Sequence, residues 1–145
     1  MTETAQAEGF PERLAHIRSN LGELNQAQPE TMEAFARLHR SATAEGALDN
    51  KTKELIALGI AVAARCDGCI AFHAHDALRA GASAAEINDA LGVAIMMGGG
   101  PSLVYATHVV DAVKQFGGDI APALESVNPQ QASCSAYLTS DHHFD

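Results

Sequence analysis

The sequence predicts an all-α protein, a compact bundle of about six helices, on three grounds. Alanine dominates the apolar residues, with 28 Ala against seven Val and seven Ile; Ala is the best helix former, whereas β-branched residues favour strands. Apolar residues recur at helical spacing through most of the chain. Proline marks the starts of these periodic segments and glycine their ends, the polarity a helix requires. At 145 residues the chain fits one domain, since a domain typically takes roughly 100 to 200.

The first helix begins at Pro11, with Leu14, Ile17, Leu21 and Leu24 on one stripe. Pro29 opens the second, carrying Met32, Phe35, Ala36, Leu38 and His39, and Gly46 is expected to end it in the left-handed conformation glycine tolerates. Asp49 is a good N-cap for a third helix through Ala64. Leu55, Leu58, Gly59 and Val62 form one of its stripes and Ile56, Ile60 and Ala63 another, so it is apolar nearly all round. A fourth helix starts near Cys66 and runs to Ala80, stopped by Gly81. Ser83-Ala84-Ala85-Glu86 spells a capping box for the fifth, which carries Ile87, Leu91, Ala94 and Ile95 and stops at Gly98-Gly99-Gly100. Pro101 opens the sixth, through Phe116, ended by Gly117-Gly118. From Asp119 the pattern fades into a Pro-, Ser- and Gln-rich tail, residues 119–145.

Charge narrows the function classes. Nine Lys and Arg against 18 Asp and Glu give a net charge of −9, which repels phosphate backbones and anionic membrane surfaces. The longest apolar run, Leu55 to Ala64, is far short of the roughly 20 residues that cross a bilayer. The opening residues carry acids and no basic or apolar segment, so the expected location is the cytoplasm. Helices apolar on most of their circumference need more burial than a chain of this size can supply, and association of identical subunits is the simplest way to provide it.

The stretch with chemistry is Arg65-Cys66-Asp67-Gly68-Cys69-Ile70-Ala71-Phe72-His73-Ala74-His75. At ~100° per residue Cys66, Cys69 and His73 share one helix face, and His75 points away from it. A helix N-terminus or an adjacent imidazolium lowers a thiol pKa from about 8.5 into the range ~3.5 to 7.5, and both are present. Redox dithiol chemistry is the favoured reading; half a zinc site, or buried structural cysteines beside a core histidine, are the alternatives. The helix dipole favours Cys66 as nucleophile, whereas the His73 partner and greater depth favour Cys69. Spacing leaves that choice open.

Glu54, eleven intervening residues and then Cys66-x-x-Cys69-x-x-x-His73 resemble the signature of alkylhydroperoxidase D-like proteins in the carboxymuconolactone decarboxylase superfamily. Lys53-Glu54-Leu55-Ile56-Ala57-Leu58 and Met97-Gly98-Gly99-Gly100-Pro101 are similar too, and the resemblance covers about residues 30 to 116. It implies an all-helical subunit assembling as trimers, hexamers or related oligomers. It also implies a thiol peroxidase or disulfide reductase activity that needs no metal or flavin in this subunit and no other cofactor, the favoured form being a thiol-dependent reductase of a small hydroperoxide restored by an external dithiol or disulfide-reductase partner. Carried over by position, Cys69 is the peroxidatic thiol, Cys66 the resolving thiol, and His73 and Glu54 a proton relay. Where the best-characterised hydroperoxidases place a histidine before the second cysteine, this chain has Gly68. The same superfamily includes decarboxylases acting on small lactones, in which the thiols would be bystanders, and a non-catalytic oligomeric binding protein is a third reading.

Spacing alone does not put Glu54 in the site. Twelve residues of unbroken helix would separate it from Cys66 by about 18 Å, so the chain must bend between them. His39, Tyr105 and His108 read as core or interface residues. Cys134 reads as a spare thiol, His142-His143 as a poor metal site, and Gly98-Gly99-Gly100 as a point of tight helix packing rather than an anion cradle.

Overall fold

The computed structural model describes residues 8–120; Cys134 and His142-His143 lie outside them. Six helices follow in order: α1 Phe10–Ala27, α2 Pro29–Thr43, α3 Asn50–Ala63, α4 Asp67–Arg79, α5 Ala84–Gly98 and α6 Gly100–Gln115. Helices α3 to α6 form the bundle, α3 packing on α4 and α5, and α6 closing against α4. Helix α1 crosses α4, and α2 leans on α1 with no buried residue of its own.

Small side chains set the spacing of the core. Leu58, Val62, Ile70, Ile87, Val109 and Val113 are fully buried, and between them stand Ala61, Ala74, Ala77, Ala94, Ala106 and Ala112. A methyl at a helix contact lets the backbones approach closely, so burial is gained at little cost in side-chain entropy. Helix α3 is divided as its two stripes foreshadow. Leu58 and Val62 enter the core, whereas Ile56 and Ile60 are 49% and 63% exposed, so the helix is not enclosed by the described residues.

The ends follow local chemistry. The Asp49 side chain accepts the Thr52 N–H at 2.8 Å, and the Thr52 hydrogen bonds hold its carboxyl below the usual range. That contribution to stability is present above the ordinary aspartate range and is lost as acid protonates the group. Ser83 and Glu86 close the expected capping box reciprocally. Gly46 does not end α2. The helix stops at Thr43, Ala44 turns extended, and Lys53 Nζ takes the freed Ala44 carbonyl at 2.5 Å, so no left-handed residue is needed there.

The α5–α6 corner depends on two glycines. Gly99, at φ 67° and ψ −152°, occupies a region essentially reserved for glycine. A Cβ on Gly98 would fall 1.8 Å from Ser102 Oγ and 2.8 Å from its Cβ, and Ser102 is buried. Tight helix packing, expected of the run, is found at Gly98, while Gly99 serves the backbone turn. Gly98→Ala is expected to cost about 1–3 kcal/mol by overpacking, read as a lower urea midpoint at unchanged slope.

Candidate active site

Helix α3 ends at Ala63, and the chain reverses through Arg65 at φ 56°. The Cys66 N–H returns to the Ala61 carbonyl and the Arg65 N–H to that of Val62. This is a Schellman turn with arginine where glycine is usual, a left-handed residue held by its surroundings at the entrance to the cysteines. The reversal lays α4 back along α3 and supplies the bend that Glu54 needs.

Cys66 is the N-cap of α4 rather than its first residue, its sulfur accepting the Cys69 N–H at 3.2 Å. The two sulfurs form a disulfide, with Cα atoms 5.2 Å apart. Cys69 is exposed and Cys66 half-buried, so the expectation that Cys69 lies deeper is overturned. The first turn of α4 faces outward at Cys69, while Cys66 is tucked against the end of α3. What distinguishes Cys69 is access.

Glu54 is 3% exposed, a carboxylate inside the bundle. It meets His73 from α4, Nδ1 to Oε2 at 2.8 Å. An ionised carboxylate can only accept, so Nδ1 carries the hydrogen and Nε2 is the ring nitrogen left for other work. Burying a carboxylate without a partner is costly; His73 supplies that partner and is fixed in turn.

A cavity of about 620 Å³ opens over these groups. Its floor is Cys66, Cys69, Phe72 and His73 of α4, and its walls are Ile17 and Leu21 of α1 and Met32, Phe35 and His39 of α2. Arg18 lies over the Phe72 ring, 5.6 Å from its centroid, and ties α1 to α4. Gly68 faces α1: a Cβ there would stand 3.1 Å from Ile17 Cδ1. The walls are thus mostly apolar, with Arg18, Arg40 and Asp76 also in the lining and the reactive groups at the base. Such walls suit an organic substrate.

Cys66, Cys69, His73 and Glu54 are therefore brought together, and other sequence candidates are placed elsewhere. His75 faces away, bonded to Asp76 at 2.7 Å and edge-on to Phe116. His108 pairs with Asp67 at 2.7 Å. His39, expected in the core or at an interface, is not in the core. It is exposed at the cavity and stacks on His73, the ring centroids 6.5 Å apart. Nothing in its own stripe betrays this, because the contact joins helices 34 positions apart in sequence and depends on how α2 leans. Among the described residues no cluster of three or more His, Cys, Asp and Glu is arranged to hold a metal ion, and no helix is long and apolar enough to cross a membrane.

Residues 29–112 match the Carboxymuconolactone decarboxylase family. The chain belongs to that family. The matched segment holds Glu54, both cysteines, His73 and His39, while α1, with Ile17 and Leu21, lies outside it. An uncharacterized protein of Cupriavidus necator is 43% identical over 98 residues, 68% of this chain and 87% of the relative. The apo crystal structure of a family protein from Legionella pneumophila superposes with a TM-score of 0.73 at 43% identity, covering 74% of this chain and 96% of that one. A family protein from Thermotoga maritima, described with a possible part in the antioxidative response, gives 0.64 at 28% identity, covering 76% and 99%. These family structures share the all-α fold.

Proposed function

We propose that the protein is a thiol-dependent hydroperoxide reductase in which Cys69 is the attacking thiol and Cys66 the resolving one. The observation that carries the reading is a closed Cys66–Cys69 disulfide at the base of an apolar cavity, beside a histidine fixed by a buried carboxylate. The antioxidative description of the Thermotoga relative supports the same direction.

The reduced enzyme presents Cys69 as thiolate. Its sulfur attacks the terminal oxygen of ROOH, the O–O bond breaks, and RO⁻ takes a proton from His73 to leave as ROH. Glu54 stabilises the ring while it donates and recovers that proton. Cys69 sulfenic acid condenses with the Cys66 thiol, forming the disulfide and releasing water. An external dithiol then attacks the disulfide and leaves as a disulfide itself, so two electrons per turnover come from that partner. This cycle suits the cytoplasm, where dithiol reductants are kept reduced.

One equivalent of cumene hydroperoxide, followed by mass spectrometry, tests the assignment. The parent should lose two hydrogens as Cys66–Cys69, and Cys66→Ser should gain one oxygen on Cys69, trapped by dimedone. No Cys66–Cys69 disulfide in the parent together with no oxygen on Cys69 in Cys66→Ser would refute the reading.

The same reading takes the working form to be a homo-oligomer. Ile56, Ile60, Val93 and Met97 line an apolar groove of about 390 Å³ between α3 and α5, with Val93 59% and Met97 76% exposed. A contiguous face of this kind is typical of an interface between copies. Ile60→Glu should shift the sedimentation mass from a multiple of 15.2 kDa to the monomer, and a parent protein that already sediments as monomer would exclude the interface.

A further inference from the structure

Asp67 follows Cys66 directly and opens α4. Its carboxylate is therefore an anion in the turn where a cysteine thiolate forms, and like charge disfavours that thiolate. His108, from the middle of α6, meets it with Nδ1 2.7 Å from Oδ1. Tyr105, one turn earlier on α6, lies against the His108 ring at 4.6 Å between centroids. In either protonation state the imidazole can present an N–H to the carboxylate, drawing its charge towards α6. Neither Asp67 nor His108 lines the cavity, so the pair is separate from the Glu54–His73 relay and acts through the sulfurs.

We propose that the Asp67–His108 pair sets the reduction potential of the Cys66–Cys69 couple by compensating the Asp67 charge beside the forming thiolate. The inference rests on the dithiol reading above and adds to it two positioning residues. Reduction breaks the Cys66–Cys69 bond while two electrons and one proton pass from a dithiol to the pair, leaving one thiol and one thiolate. The dithiol closes to its own disulfide and releases its second proton to water. Only the reduced side carries a thiolate. An uncompensated Asp67 charge therefore shifts the equilibrium towards the disulfide, and loss of that charge shifts it towards the dithiol.

The test is equilibration of the full-length protein at neutral pH with graded ratios of reduced to oxidised dithiothreitol, the free thiols being counted by alkylation and mass. His108→Phe should make the disulfide about threefold to tenfold harder to reduce, tenfold being about 30 mV for two electrons. Asp67→Asn should move the equilibrium the opposite way, and the double variant should follow Asp67→Asn. His108→Asn, which returns an N–H donor near the Nδ1 position, should restore the parent value. A pair that merely clamps α4 to α6 would give shifts of the same sign in both single variants, and that result, or no shift in His108→Phe, overturns the proposal. A parent protein that forms no reversible Cys66–Cys69 disulfide removes the dithiol reading itself, whereas a parent that titrates normally beside unshifted variants removes this inference alone.

Discussion

Cys69→Ser should reduce dithiol-dependent peroxide consumption by about 10³-fold or more, to the rate of the reductant alone. A serine hydroxyl at the same place is not ionised near neutral pH, and removing the nucleophile from a catalytic unit costs nearly as much as removing the unit. Cys66 does not replace it. Its sulfur is half-buried and caps the α4 N-terminus, whereas Cys69 is exposed to the cavity. Cys66→Ser should behave differently, consuming close to one equivalent of peroxide rapidly and then stalling, because the sulfenic acid has no internal thiol with which to condense. Stopped-flow measurement of peroxide loss separates the two. Equal activity in the parent and Cys69→Ser would mean that the thiols are bystanders, as in a lactone decarboxylase.

Glu54→Gln should lower turnover by about 10² to 10³-fold while leaving the helix content unchanged. The size follows from what the carboxylate does. It fixes the hydrogen on Nδ1 of His73 and stabilises the ring when it is positively charged, and a general acid–base group contributes about 10²–10⁴-fold. A glutamine amide can donate to Nδ1 as well as accept from it, so the ring can settle in the wrong tautomer, an effect worth about 10⁴ in the serine protease triad. Glutamine fills the same space within the bundle, which separates loss of charge from loss of packing. Glu54→Ala should in addition destabilise the protein by about 1–3 kcal/mol, because the half-buried ring is left without its partner. A Glu54→Gln enzyme with parental kinetics would show that His73 works without the carboxylate, and the relay would reduce to the histidine.

The helices were legible in the chain because their signals are local. Pro29 and Pro101 set starts, Ser83 with Glu86 closes a cap through side chains three residues apart, and Asp49 caps α3 by the same short reach. The single local misreading, Gly46, has a non-local cause: the α2 terminus is satisfied by Lys53 from the next helix, so the glycine conformation is not required. Cys66, Cys69 and His73 were likewise readable as one group, since a helix places positions three and four apart on a common face.

What the tertiary structure decided lies between helices. Whether Glu54 reaches His73 depends on the reversal at Arg65, whose left-handed turn no composition rule indicates for an arginine. How exposed each cysteine is on the floor of the cavity depends on where α1 and α2 lie, and so does the presence of His39 beside His73. The meeting of Asp67 with His108 joins positions 41 apart. Hydrogen bonds within a turn follow from the order of residues, because the backbone itself brings the partners together. Contacts between helices follow from how an alanine-lined core lets four helices settle and where two outer helices can then lean, and that solution belongs to the whole chain rather than to any one segment.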